Sequence, residues 1–181
     1  WFVFFHPFTK IINSNYYYSI TSDRKKITTF RFPGGIIYKK YIKKNYEDEY
    51  NLNFLNKILD QKNFIIEKKK LTKKFSNKYQ YYLLVSYLAL KTYHMLKQLG
   101  KMKYPIIVDG VISKNKLFLK ILSSIIQEQS IYRSNDFHGV ARGMLVKRFR
   151  GKYRNYTIIK KNKKLSKKLN NYYKFFEKKF N

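Results

Sequence analysis

Cysteine is absent from the 181 residues of this chain, which excludes disulfides, thiolate nucleophiles and thiolate metal sites together. Carboxylates are scarce, ten against 40 lysines and arginines, and three of the ten sit side by side as Glu47, Asp48 and Glu49. The three histidines, His6, His94 and His138, lie far apart. No GxxxxGK phosphate loop, GxSxG elbow, HExxH helix or paired-aspartate spacing is present. So few convergent polar groups imply a protein that is not an enzyme and that uses no metal, no cofactor and no small-molecule substrate. Long apolar runs are missing too. The longest, Tyr81 to Leu90, is interrupted by Ser86 and is half the roughly 20 residues a bilayer crossing takes, so no transmembrane helix and no membrane partner are expected. The opening stretch Trp1 to Phe8 is too short and too aromatic for a signal peptide.

What is abundant is positive charge. The formal net charge is +30, far beyond what solubility requires, and self-repulsion on that scale predicts a native state assembled on a polyanion. Lysine, isoleucine, tyrosine, asparagine and phenylalanine dominate the composition, whereas alanine occurs only at Ala89 and Ala141. The favoured residues are read from codons made mainly of A and T, so the gene is extremely AT-rich, and lysine content reflects coding bias as well as function. Arginine is the exception. Five of the seven arginines fall between Arg133 and Arg154.

The length suits one domain with enough residues to bury a real core. Residues 1–47 read as β-rich: Tyr16 to Ile20 is aromatic and β-prone, Thr28 to Phe32 alternates, and Pro33-Gly34-Gly35 followed by Ile36 to Ile42 predicts a hairpin turning at the glycines. Residues 48–132 read as a mainly helical core. The acidic cluster at 47–49 suits the start of a helix carrying Leu52, Leu55 and Leu59. Lys68 to Lys78 forms a basic connector, and Ser76 or Asn77 caps a helix from about Lys78 to Leu99, stopped by Gly100. His94, one turn from Leu90, belongs to its packing. Pro105 to Val108 reads as a short buried strand and Asp109-Gly110 as a turn. Ser113 then caps a helix with Leu117, Phe118, Ile121, Leu122, Ile125 and Ile126 at three- and four-residue spacing. Residues 133–159 lose all periodicity and read as an irregular arginine- and glycine-rich loop. Residues 160–181 form a basic C-terminal helix with Leu165, Leu169, Tyr172 or Tyr173, Phe176 and Phe180 on one stripe. The fold class is therefore α+β, with no internal repeat.

The arginine-rich loop carries the densest constellation of contact chemistry. Glycines let a backbone approach a phosphate ribbon, arginine forks grip phosphate bidentately, and aromatic faces stack on unpaired bases. The candidate RNA-contacting residues are Arg133, His138, Arg142, Lys147, Arg148, Phe149, Arg150, Lys152, Tyr153, Arg154 and Tyr156, with Lys160 and Lys161 at the start of the tail. No recognition helix or zinc module is evident, so RNA fits better than duplex DNA.

In composition, length and the basic segment Gly139 to Tyr156 with its lysine-rich tail, the chain resembles a mitochondrial ribosomal protein encoded in an AT-rich protist organellar genome. The resemblance is to the class, with no subunit signature and only a slight lean to the small subunit. It implies a structural constituent of the mitochondrial ribosome in the mitochondrial matrix, folding with ribosomal RNA beside neighbouring ribosomal proteins and bracing it by phosphate neutralisation. The alternatives are a standalone organellar RNA-binding or splicing factor, or a basic peripheral subunit of a mitochondrial membrane complex.

Overall fold

A computed structural model describes residues 2–7, 16–20, 24, 26–41, 50–61, 76–98, 105–135 and 156–180. The chain is α+β, as its patterning implies. Strands β1 (Phe2–Pro7), β2 (Tyr16–Ile20) and β3 (Lys26–Phe32) form an antiparallel sheet in the order β1-β3-β2. The register pairs Phe4 with Phe30 and Tyr16 with Phe30, so β3 is sandwiched between its two partners.

The expected hairpin at Pro33-Gly34-Gly35 does not form. The glycines instead open helix α1 (Gly34–Tyr41), whose ladder starts with the Ile37 amide donating to the Pro33 carbonyl at 2.9 Å. The run Ile36-Ile37-Tyr38 suits a strand locally, but packing decides otherwise. In the helix Ile37 and Tyr38 lean on the core, and the Tyr38 ring meets the edge of Tyr81 at 6.5 Å between centroids.

Helices α2 (Leu52–Asp60), α3 (Asn77–Gln98), α4 (Lys116–Ile125) and α5 (Lys163–Phe180) build the centre of the molecule. Helix α3 is its axis: every residue from Tyr81 to Leu90 is buried, with α1, α2, α4 and α5 packed around it. Burying a leucine or tyrosine side chain removes enough apolar surface to contribute about 1.5–3 kcal/mol. The α5 stripe read from sequence is the buried one, with Leu165, Leu169, Tyr172, Tyr173 and Phe176 all inside. The helix starts are capped by short polar side chains. Asn51 Oδ1 accepts from the Phe54 amide at 2.9 Å, Ser76 Oγ from Tyr79 at 3.3 Å, and Asn162 Oδ1 from Leu165 at 3.1 Å. The acidic cluster at 47–49 lies outside the described residues, and α2 has no acid in its first turn.

A second three-stranded sheet, in the order β4-β5-β6, comprises β4 (Ile106–Val108), β5 (Ile131–Ser134) and β6 (Tyr156–Ile158). Strands β4 and β5 are parallel, joined through α4, while β6 returns antiparallel to β5. The stretch expected to be irregular from Arg133 to 159 therefore begins and ends as paired strand. Alternation is too short to see in segments of three and four residues.

Candidate functional site

Parallel strands joined by a helix bring their carboxyl ends to one edge, and open α/β sheets bind ligands at that edge. Here the edge is formed by the ends of β4 and β5, where Val108 lies beside Arg133.

The chain leaves β4 through Asp109 and Gly110. The Gly110 amide donates to Asp109 Oδ1 at 2.7 Å, and Gly110 takes φ +73°, ψ −161°, a backbone region open almost only to glycine. A Cβ at this position would meet no atom within 4 Å. The dihedral angles require the glycine, and the space beside its backbone is open.

A 3₁₀ turn, Val111–Lys114, follows. Ser113, expected to cap the next helix, is a buried member of this turn, and both its amide (3.0 Å) and its hydroxyl (2.7 Å) donate to the Gly110 carbonyl. The cap of α4 is Asn115, two residues on, whose Oδ1 accepts from the Phe118 amide at 2.8 Å. Its Nδ2 donates to the Tyr81 hydroxyl at 2.9 Å. Asn115 is 2% exposed, so one buried amide fixes the helix start and ties it to the central helix α3. Satisfying both ends of a buried amide makes the turn rigid, because leaving either end unpaired costs about 1–3 kcal/mol.

On β5, Arg133 Nε and Nη2 donate to Asn135 Oδ1 at 3.2 and 3.1 Å. The Asn135 amide in turn exchanges hydrogen bonds with the Thr157 hydroxyl on β6, at 3.1 Å in each direction. Tyr156 stands opposite Ser134 in the same strand pair and is 45% exposed. Lys160 and Lys161 follow β6 and tie it to α4: Lys120 Nζ donates to the Lys160 carbonyl at 2.9 Å, and Lys161 Nζ donates to the Gln127 carbonyl. Of the residues singled out in the sequence, Arg133 and Tyr156 therefore lie on paired strands near this edge, at adjacent register positions on opposite faces of the sheet, and Lys160 and Lys161 lie just beyond it. His138, Arg142, Lys147, Arg148, Phe149, Arg150, Lys152, Tyr153 and Arg154 lie outside the described residues, in the stretch that joins Asn135 to Tyr156.

His94 is buried away from this edge, as its place beside Leu90 implied. Its ring takes part in a relay between α3 and α5: Gln98 Nε2 lies 3.1 Å from Nε2, Nδ1 lies 2.9 Å from the Tyr173 hydroxyl, and that hydroxyl donates to Glu177 Oε1 at 3.1 Å. Every bond is satisfied by the neutral ring with its proton on Nδ1. Burial, reinforced by Lys91 and Lys97, pushes the imidazole below its ordinary value of 6.5, against the opposing charge of Glu177. Burial pulls the Glu177 carboxyl upward, but hydrogen bonds from Lys97 and Tyr173 and the Lys97 charge outweigh it and hold it low.

Set against known proteins, this arrangement has clear relatives. A carbohydrate kinase from Novosphingobium aromaticivorans superimposes with a TM-score of 0.72 at 16% identity, over 91% of this chain and 40% of that one. A xylulose kinase from Rhodospirillum rubrum gives 0.59 at 9% identity, over 98% of this chain and 44% of that one. The fold is thus one found in part of a sugar kinase, and the chain spans less than half the length of either protein. The sequence pattern of the family described as carbohydrate kinase FGGY, C-terminal domain, matches residues 55–155. That is more than half of the chain, and the chain belongs to this family. Among curated proteins no match was found.

This family membership overturns the ribosomal resemblance, and with it the structural role on ribosomal RNA, the neighbouring ribosomal proteins, and the alternatives of a splicing factor or a membrane-complex subunit. It also overturns the expectations of a non-enzyme and of no small-molecule substrate, since the family is one of kinases. The physical reason is that a phosphoryl-transfer domain needs little side-chain chemistry of its own: positioning and electrostatic stabilisation do most of the work, and backbone groups supply much of both. A search for clusters of acids, histidines and thiols therefore passes over it. Within the matched stretch, Val108-Asp109-Gly110 followed five residues later by Asn115 sets a strand, a glycine turn and a capped helix in sequence.

Proposed function

We propose that this chain supplies the C-terminal, nucleotide-facing part of a carbohydrate kinase, which transfers the terminal phosphoryl group of ATP to a hydroxyl of a sugar. The observation that carries this reading is the family match over residues 55–155, a span that runs from α2 through the whole β4-α4-β5 unit. The geometry at the strand ends agrees with it. Gly110 offers open backbone beside a rigid turn, and a glycine turn leading into a helix is a common way to let phosphate come close to main-chain amides. Asn115 and Tyr81 hold that turn against the core. The excess of positive charge gives the surface a long-range attraction for a polyanion such as ATP, one that weakens with salt.

The test is titration calorimetry of the chain with ATP, and ATP binding is the expected result. Failure of the folded chain to bind ATP at low and moderate salt would overturn the reading.

A further inference from the structure

Arg133 is half-buried at the carboxyl end of β5, between Val108 of β4 and Thr157 of β6 in the strand register. Among the described residues its side-chain acceptor is a neutral amide, Asn135 Oδ1, reached through Nε and Nη2. Among the described residues no carboxylate lies within ion-pair distance of it, whereas Lys97 and Lys168 each have one, Glu177 and Asp60. A guanidinium is always charged, so a half-buried one keeps donors that call for acceptors. Among the described residues its orientation is fixed by a neutral amide and its charge meets no acid. Asn135 is itself braced on Thr157 across the sheet, so the fork is aimed before any ligand arrives, and the N–H groups of Nη1 face away from that amide.

The position matters as much as the charge. The register sets Arg133 beside Val108, the last residue of β4 before Asp109 and the open backbone of Gly110. A ligand resting on that backbone would lie next to the guanidinium. A planar fork with donors to spare fits a phosphate oxygen pair, and charge-assisted bonds of that kind are about twice as strong as neutral ones.

We infer that Arg133 is a phosphate-binding residue for the nucleotide, aimed by Asn135 and Thr157. The inference rests on the proposed kinase reading and deepens it by naming a residue that grips the polyphosphate. Lysine in its place would keep the charge but lose the fork and the bond to the braced amide. An Asn135→Asp change would give the guanidinium an internal acid and compete with the ligand for it.

The experiment compares the unaltered chain with Arg133→Ala, Arg133→Lys and Asn135→Asp by titration calorimetry, with ATP, tripolyphosphate and adenosine as probes. Circular dichroism and thermal midpoints verify that each variant is folded. The expected result is a loss of ATP and tripolyphosphate affinity in Arg133→Ala on the order of ten- to a hundredfold, the size associated with hydrogen bonds to a charged group. Intermediate losses are expected for the other two, with adenosine binding unchanged throughout. Folded Arg133→Ala binding ATP as tightly as the unaltered chain would overturn the role of Arg133 while leaving the kinase reading intact. An equal loss of adenosine binding would also overturn it, because the effect would then not lie at the phosphates. An unaltered chain that binds none of the three probes would instead remove the kinase reading beneath it.

Discussion

Helices α3 and α5 are the two longest described elements, of 22 and 18 residues, and they are built to opposite rules. Helix α3 is enclosed, buried continuously from Tyr81 to Leu90 and with lysines only at positions 78, 91 and 97. Helix α5 is one-sided. It buries Leu165, Leu169, Tyr172, Tyr173 and Phe176 and turns Lys163, Lys164, Lys167, Lys174 and Lys178 to solvent. Among the described residues, lysine gathers on faces turned to water and stays out of the continuous buried run of α3. Total charge therefore says little about where a site lies, because it accumulates on faces that the fold leaves free.

Breaking each helix in turn sharpens that contrast. Leu88→Ala in α3 and Phe176→Ala in α5, both fully buried, should each lower unfolding free energy by about 3–5 kcal/mol, the range for large core truncations. Phe175→Ala, one residue away on the 42% exposed side, should change it by less than about 0.5 kcal/mol. Chemical denaturation of the three variants measures all of this, and similar losses at Phe175 and Phe176 would mean that α5 is not docked as described.

Asn115→Ala tests the polar link between α3 and the site. It removes a helix cap and the bond from its amide to the Tyr81 hydroxyl, so a loss of about 1–3 kcal/mol is expected. Tyr81→Phe in the same background should cost less than it does alone, because the bond between the two side chains is already gone. A double-mutant cycle on the two positions reads the coupling directly.

Acidification should loosen the contact between α3 and α5. The folded state resists protonating His94, so as pH falls below about 6.5 the unfolded chain takes up a proton that the native one refuses, and stability declines. Glu177 acts in the same direction at lower pH. Its contribution is present above the ordinary carboxylate value of 4.5 and disappears as the pH drops through its depressed folded value. Thermal midpoints from pH 8 to pH 4 should show the first decline below pH 6.5 in the unaltered chain and a weaker one in His94→Gln. A midpoint that rises on acidification would contradict the relay.

The smallest effect belongs to the surface. Lys168 and Asp60 join α5 to α2 at 2.7 Å, but both are well exposed, at 33% and 62% of their side-chain area. Lys168→Ala should cost no more than about 1 kcal/mol and less at high salt.

These contrasts also explain what could be read in advance. The stripes of α4 and α5 and the bounds of α3 were legible because periodicity over ten or more residues outweighs local noise. Helix α1 was not, since Ile36-Ile37-Tyr38 fits a strand equally well and only the contact with Tyr81 chooses between them. Arg133 and Tyr156 were picked out by composition as contacts to ribosomal RNA, a partner that the family match overturns. Asp109-Gly110 was read as a turn and nothing more, because open backbone offers few side chains to notice. Asn115 was passed over for Ser113 because capping preference alone favours both, and the 3₁₀ turn that separates them is a tertiary feature.

Gly110 has one further consequence, which concerns the gene. Every step toward A or T at the first or second base of a glycine codon replaces glycine with a residue bearing a side chain or ends the chain, and the angles at this position admit such a residue only with strain of about 1–3 kcal/mol. Mutational drift that freely turns surface positions into lysine therefore meets a fixed point here, held by two dihedral angles.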